Sequence, residues 1–247
     1  MNDKTRVFNQ DCMTGMKDFP DKYFELAIVD PPYGINVSKL AYTQEENRTV
    51  MQKNGGLLTV KKLNYKHGNW DKTPPTDEYF KELFRISENQ IIWGENYLHQ
   101  QFTGGRIIWN KLTPEGTKFS ACEIAFCSLH ERVRYVEYMW AGMMQGEGFE
   151  NPKVQKGDKT RNEVRIHPTQ KPIALYKWLL KNYAKEGDKI LDTHGGSMSS
   201  VIACLDMGFP ITCYEIDQDY YKSGKKRIEQ YLAQTDLFKE KQQVIFG

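Results

Sequence analysis

The chain predicts an α/β protein, doubly wound around a mostly parallel sheet, and three observations predict it. Short apolar runs rich in branched residues, such as Leu26-Ala27-Ile28-Val29 and Ile211-Thr212-Cys213-Tyr214, have strand length rather than helix length. They alternate with segments of helical period, the order that covers a parallel sheet on both faces. The C-terminal half also runs strand, glycine turn, helix, strand and acid, the unit that binds an adenosine-containing cofactor.

Taken in order, residues 6–9 read as a first strand, and Asp11-Cys12-Met13 turns the chain into a brief helix before Pro20. The strand over 26–29 stops at Asp30. Residues 34–72, rich in Lys, Asn, Gln, Gly and Thr, read as a long mobile loop that closes over something. Thr76 caps a helix to about Ser87, with Tyr79, Phe80, Leu83, Phe84 and Ile86 as its buried stripe. Strands over 90–93, 106–109, 123–128 and 133–140 follow, with helical residues up to Phe102 between the first two. Residues 141–166 show neither period and read as a compact specificity loop or a hinge. Pro172 opens a helix at its favoured first position, and Gly187 is its stop. A strand over 189–192, a helix over 198–207, a strand over 211–214 and a last helix over 220–234 complete the pattern; residues 243–246 add an edge strand or a tail.

A hydrophobic content of 39% in 247 residues supplies the core of one large domain with insertions, or of a domain with a small appendage. No apolar run approaches membrane-spanning length and the first ten residues are polar, so the expectation is a cytoplasmic protein without a signal peptide. Cys12, Cys122, Cys127, Cys204 and Cys213 are odd in number and lack zinc spacing, which argues for reduced core thiols and against a metal site. A net charge of +2 leaves any polyanion to local basic stretches. Two exist, at 34–72 (Lys39, Lys61 and Lys62 among others) and at 151–165 (Lys153, Lys156, Lys159, Arg161 and Arg165). A charge run is usually a solvated face, so neither stretch identifies nucleic acid alone. Trp70 suits either stacking on a base or packing of its loop on the core.

The chemistry concentrates at Asp30-Pro31-Pro32-Tyr33. The prolines fix two φ angles and remove two donors, leaving the Asp30 carboxylate, the Pro31 carbonyl and the Tyr33 ring in one arrangement. Such a claw suits a planar ring with an amino group: two acceptors take the amine hydrogens while the aromatic ring stacks on the base. The bland alternative is a turn begun by Asp30 with Tyr33 packed nearby. In the second half, Asp192, Gly195, Gly196 and Glu215 hold the places of a strand end, a glycine turn and a ribose-binding acid. No Gly-Lys-Ser/Thr phosphate loop is present, which disfavours a nucleoside triphosphate. His167-Pro168-Thr169-Gln170-Lys171-Pro172 reads as a loop of fixed shape whose amides and hydroxyl suit a carboxylate.

These three stretches together resemble the amino-methyltransferases acting on DNA, in the order of the beta class, where the catalytic half precedes the cofactor half. The likeness runs over nearly the whole chain, including Trp70-Asp71-Lys72, residues 91–96 and residues 107–111, and is most similar to small phage-borne adenine methyltransferases. It implies the Rossmann-like fold of S-adenosylmethionine-dependent methyltransferases, one domain over 1–247, and double-stranded DNA as partner, with homodimerisation open. It also implies that Asp192, Gly196 and Ser197 lie along the methionine part of the cofactor, with His194 and Gly195 in the same turn. Thr169, Gln170 and Lys171 fall near the cofactor carboxylate, Glu215 at the ribose, and Asp11 with the Cys12 amide at the adenine. Asp30, counted with both sites, and Tyr33 hold the flipped base. Residues 141–166, with the basic loop, become the expected DNA contact. The family turn Asp-Pro-Phe-x-Gly-Ser-Gly-Thr-Thr is here Asp192-Thr193-His194-Gly195-Gly196-Ser197-Met198-Ser199-Ser200. His194 therefore replaces an apolar wall, and Met198 brings a side chain where close backbone approach is usual. The implied reaction is methylation of the N6 amine of adenine. Alternatives are the N4 amine of cytosine, RNA as substrate, or a non-catalytic DNA-binding subunit.

Overall fold

The computed structural model describes residues 5–37, 48–51, 55–60, 71–116, 120–142, 144–235 and 244–247. In chain order the elements are β1 (Thr5–Phe8), α1 (Cys12–Met16), β2 (Phe24–Val29), β3 (Arg48–Met51), β4 (Leu57–Val60), α2 (Asp77–Ile86), β5 (Ser87–Trp93), β6 (Gly105–Asn110), β7 (Cys122–Cys127), β8 (Val133–Glu137), β9 (Trp140–Ala141), β10 (Met144–Gln145), α3 (Ile173–Tyr183), β11 (Ile190–Asp192), α4 (Ser199–Met207), β12 (Ile211–Tyr214), α5 (Gln218–Thr235) and β13 (Val244–Phe246).

Strands apolar at successive positions must bury both faces, and these do. Leu26 and Ile28 of β2 enter one core, beside Leu175, Leu179, Val201, Ile202 and Ile228 of α3, α4 and α5. Ala27 and Val29 enter the other, against Met16 of α1 and Tyr79, Phe80, Leu83 and Ile86 of α2. Each such side chain contributes about 1.5–3 kcal/mol of burial. That outweighs the missing cap bond at Thr76, which stands at the start of α2 without a side-chain hydrogen bond to the helix backbone.

Nine strands make one sheet in the order β13-β1-β12-β11-β2-β5-β7-β6-β8. Every pairing is parallel except the two that β7 makes with β5 and β6. The chain builds outward from β2 through β5, then returns to lay β11 and β12 on the other side. The strand order therefore switches between β2 and β11, where Ala27 pairs with Leu191. Asp30 and Asp192 follow on adjacent strand ends, at the carboxyl edge where doubly wound sheets bind ligands.

Several expectations shift. The loop at 34–72 contains a hairpin, with Met51 opposite Leu57 and Gly55 at φ +81° in the turn; branched runs flank Gly55-Gly56, a signal hidden by the polar composition around it. Pro172 is the cap before α3 rather than its first residue. Gly187 terminates a separate turn over 185–188, because α3 has already ended at Tyr183. The helix expected up to Phe102 shrinks to one 3-10 turn, Glu95–Tyr97. The strand expected over 133–140 splits into β8 and β9 as Tyr138 turns inward to donate to the Gly146 carbonyl at 2.9 Å. Of the expected 243–246, residues 244–246 do supply the edge strand β13, paired with β1, and 243 lies outside the described residues. Cys122 is exposed, unlike the other four thiols. No described helix is long and apolar enough to cross a membrane.

Candidate active site

A cavity of about 400 Å³ opens at the strand switch, with the claw of the first half and the glycine turn of the second in its wall. Asp11, Cys12, Asp30, Pro31, Pro32, Tyr33, Thr169, Gln170, Lys171, His194, Gly195, Gly196, Ser197 and Glu215 all line it. Asp192 lies just behind, fully buried at the end of β11.

The claw is fixed from three sides. Tyr33 donates its hydroxyl proton to Asp30 Oδ1 at 2.5 Å. Behind that ring Tyr97 stacks at 5.1 Å with 14° between planes, outside the cavity lining. Gly94, at φ +70°, leaves the room: a Cβ there would sit 2.0 Å from the Tyr33 ring. Asp71 accepts from the Tyr33 and Gly34 amides through Oδ1 at 2.7 and 2.9 Å, and from the Val37 amide through Oδ2 at 2.9 Å. Lys171 reaches Asp30 Oδ1 at 2.5 Å, Glu123 Oε2 at 3.0 Å and the Tyr33 hydroxyl at 3.1 Å. Its ammonium is thus engaged by the claw, a different task from the cofactor carboxylate expected of it. Among the described residues no hydrogen bond reaches Asp30 Oδ2 or the Pro31 carbonyl, so both remain for a ligand. Burial pushes the Asp30 carboxyl up, with Lys171 opposing.

Across the cavity, Asp192 accepts from the His194 amide and the Ser200 hydroxyl and so shapes the turn; burial lifts its carboxyl to about 6. Glu215 accepts from the Gly196 and Asp217 amides, both at 2.7 Å, and burial lifts it to about 7. Met198 adopts the left-handed conformation, φ 59° and ψ 27°, that a glycine would adopt freely. Its side chain lies outside the cavity lining, wholly buried against the turn, with Sδ 3.6 Å from the Cys213 thiol. His194 packs edge-on to Tyr79 and shares a hydrogen bond with Thr193 Oγ1, which in turn meets the Tyr79 hydroxyl at 2.7 Å. Burial lowers it to about 4, so a neutral aromatic ring stands where the family has phenylalanine. Asp11 caps α1 through the Met13 amide, and burial raises the Cys12 thiol to about 12, leaving it inert. His167, lowered by burial to about 3, lies against Tyr220, with Thr169 Oγ1 at 3.1 Å from its Nδ1. The Gln170 side chain turns outward to the Ile166 amide and the Val164 carbonyl.

That contact ties in the segment 141–166, which is compact: β9 and β10 form a ribbon, and Gly146 bridges Gln155. Glu163 accepts from the Ile173 amide at the start of α3 and pairs with Arg227 of α5 at 2.8 Å. Arg227 also donates to the Ser197 carbonyl and Ser199 hydroxyl, bracing the altered glycine turn. Lys153 and Arg161 are exposed, Lys156 donates to the Arg161 carbonyl, and Lys159 begins a 3-10 turn. Arg165 instead lies 4.2 Å over the Trp140 ring with Nε and Nη2 buried, a packed residue more than a surface one. Lys39, Lys61, Lys62 and Trp70 lie outside the described residues. Sequence reasoning missed Asp71, Gly94, Glu123 and Arg227 as site residues. Asp71 and Gly94 carried a signal, within the Trp-Asp-Lys stretch and residues 91–96, whereas Glu123 and Arg227 carried none, because side-chain partners distant in the chain leave no pattern.

A mostly parallel sheet with a polar claw and a glycine turn facing one cavity at its switch point is the arrangement of an α/β protein that binds a nucleoside-containing cofactor. The family model described as DNA methylase, of N6/N4 type, matches residues 92–226, more than half of the chain, and the protein belongs to that family. Among curated proteins it is similar to the Type II methyltransferase M2.MboI of Moraxella bovis, at 22% identity over 90% of this chain and 86% of that one. M2.DpnII of Streptococcus pneumoniae is 22% identical over 92% and 90%. Among solved structures, the PvuII DNA methyltransferase, cytosine-N4-specific, aligns with a TM-score of 0.52 at 11% identity over 98% and 95% of the two chains. The M1.HpyAVI complex with S-adenosylmethionine aligns at 0.50 and 16% over 90% and 99%. S-adenosylmethionine is the methyl donor of this family. The residues present fit it: Gly195 leaves no room for a Cβ between Cys213 and Met198, Gly196 is open to the cavity, and Glu215 keeps acceptor capacity for two hydroxyls.

Proposed function

We propose that this enzyme methylates the exocyclic N6 amine of adenine in DNA, as a member of the beta class with its Asp-Pro-Pro-Tyr motif at Asp30–Tyr33. The observation that carries the reading is the pair of acceptors left in the claw, Asp30 Oδ2 and the Pro31 carbonyl, in the same cavity as the glycine turn. An aspartate at the first position of the claw favours adenine over cytosine. The Type II relatives are consistent with a modification role beside a restriction enzyme.

Glu215 and the Asp11–Cys12 corner would hold the nucleoside of the cofactor, and Gly195–Ser197 its methionine part. When bound, S-adenosylmethionine supplies a methyl group on a positively charged sulfur, and transfer leaves a neutral thioether. The target amine is sequestered in duplex DNA, so the base swings into the cavity, at a cost of a few kcal/mol. Stacking on Tyr33 offsets that cost, as do hydrogen bonds to Asp30 and Pro31. Those bonds draw the amine hydrogens aside and turn the nitrogen lone pair toward the glycine turn. Asp30, its proton affinity raised by burial, accepts the proton that the nitrogen sheds on bonding the methyl. The exposed Lys153 and Arg161 would face the phosphates, and the segment 141–166 would contribute to reading bases.

Tritiated methyl transfer to duplexes carrying only adenine or only cytosine in their amine positions tests the reading. Label in the adenine duplex alone supports it, and label in the cytosine duplex alone transfers the claim to N4. Asp30→Ala is expected to lower turnover at least about 1,000-fold while cofactor binding by calorimetry changes less than about threefold. Wild-type turnover in that variant refutes the assigned role.

A further inference from the structure

Lys171 is a charge with almost no access to water, its side chain 2% exposed. Its Nζ lies between Asp30 Oδ1 and Glu123 Oε2, below the Tyr33 and Trp93 rings at 5.6 and 5.4 Å. Glu123 enters from β7, the strand that runs against its neighbours, and its Oε1 meets Lys111 Nζ at 3.2 Å. Two carboxylates and two ammonium groups thus form a line, Asp30, Lys171, Glu123, Lys111. Asp30 and Lys171 border the cavity; Glu123 and Lys111 do not.

The line poses an electrostatic problem for the reaction proposed above, on which this inference rests. A cation lies against the carboxylate that must attract amine hydrogens, across a cavity that must receive a second cation, the methyl donor. In a buried site an uncompensated charge of this kind is costly at both places. Among the described residues Lys171, at 3.0 Å, is the cation that Glu123 Oε2 faces, and no better-aligned donor reaches that oxygen.

We propose that Glu123 is a positioning residue for methyl transfer: it shares the Lys171 charge with Asp30, so that Asp30 stays a strong acceptor for the amine and the cavity admits a cationic donor. Burial would lift the Glu123 carboxyl, but Lys171 and Lys111 overcome it and hold it near 2, charged at every working pH. Burial would lower Lys171, but Asp30 and Glu123 overcome it and keep it charged. Burial raises Asp30, Lys171 opposes, and the Glu123 charge restores part of the rise. The other groups that face this line are Tyr33, the Trp93 ring, His167, which burial leaves neutral, and at longer range Asp192, Tyr176 and Tyr79.

Glu123→Gln keeps the shape and removes the charge. With full-length protein, saturating labelled S-adenosylmethionine and saturating duplex, its kcat is expected to fall about tenfold or more. The acid limb of kcat moves to lower pH, because Asp30 then faces Lys171 alone. Glu123→Asp, which keeps the charge, retains the wild-type acid limb. The double variant Glu123→Gln/Lys171→Met is no slower than Lys171→Met, since Glu123 acts through Lys171. Wild-type kcat and pH profile in Glu123→Gln overturn the inference, as do losses that multiply in the double variant. If Glu123→Gln does not fold, the aspartate variant and the comparison of the double with Lys171→Met decide by the same criteria. A wild-type enzyme that methylates no amine defeats the parent reading; an active wild type with an indifferent Glu123 defeats only this one.

Discussion

Asp71 does at the scale of one residue what the two prolines begin. Prolines fix φ at 31 and 32, yet the chain beyond Tyr33 must turn away through Gly34, at φ +75° and packed on Pro74. Three amides, of Tyr33, Gly34 and Val37, point inward at that turn, and the Asp71 carboxylate accepts all three while its carbonyl accepts from Asn36 at 3.0 Å. Hydrogen bonds to a buried charge contribute about 1.5–3 kcal/mol each, and a donor left without one costs a similar amount. Asp71→Asn sets an amide donor against one of those N–H groups. The Tyr33 ring then loses its fixed approach to Asp30. Turnover is expected to fall about 10- to 100-fold, with the dissociation constant for S-adenosylmethionine changed less than about twofold. Single-turnover kinetics beside calorimetry read the two effects apart, and equal losses in both would show that Asp71 supports the whole cavity rather than the claw.

At the scale of elements, the helices and strands were legible because their residues carry the period of the faces they bury. Strands β2, β11 and β12 and helices α2, α4 and α5 fall within a few residues of expectation for that reason. Positions that depend on distant partners were not legible. Gly187 looks like a helix stop, yet α3 ends four residues earlier, at Tyr183, and nothing near Glu163 announces that it pairs with Arg227 across 64 positions. That pair links the segment 141–166, the start of α3 and the glycine turn. Burial pushes Glu163 up and Arg227 down, so each is costly without the other. Arg227→Met is expected to destabilise the protein by about 3–5 kcal/mol and to raise the cofactor KM more than it lowers kcat. Adding Glu163→Gln removes the stranded charge and recovers most of the stability, while KM stays high because the Ser197 carbonyl still lacks its donor. Denaturant unfolding and initial rates check the two halves; a KM restored in the double variant would sever the brace from the cofactor turn.

The whole molecule brings together acids that are far apart in sequence, and that creates its dependence on pH. Motif positions at both ends of the chain were readable, but their convergence is a property of the strand order, fixed only when β11 slots in beside β2. Convergence buries Asp192 and Glu215, raised to about 6 and 7 from ordinary values of 3.8 and 4.5. The folded state holds protons there that the unfolded chain has released, so this contribution to stability is full below the ordinary values and is lost as pH rises through 6 and 7. Buried His167 and His194, lowered to about 3 and 4, act with the opposite sign, costing stability below about 6.5. The histidines oppose the acids over this range, while Asp30 and Glu163, also raised by burial, add to the acids. Glu215→Gln shifts that balance. Relative to wild type it gains about 2–3 kcal/mol from pH 5 to pH 8, read by thermal or denaturant unfolding without cofactor. On the proposed reading ribose hydroxyls would donate to the charged form of Glu215, so wild-type affinity for S-adenosylmethionine is expected to strengthen as pH rises through about 7, and in Glu215→Gln to be weak and flat. A variant whose stability difference and cofactor affinity both ignore pH would mean that Glu215 is neither the buried acid nor the ribose acceptor assigned to it.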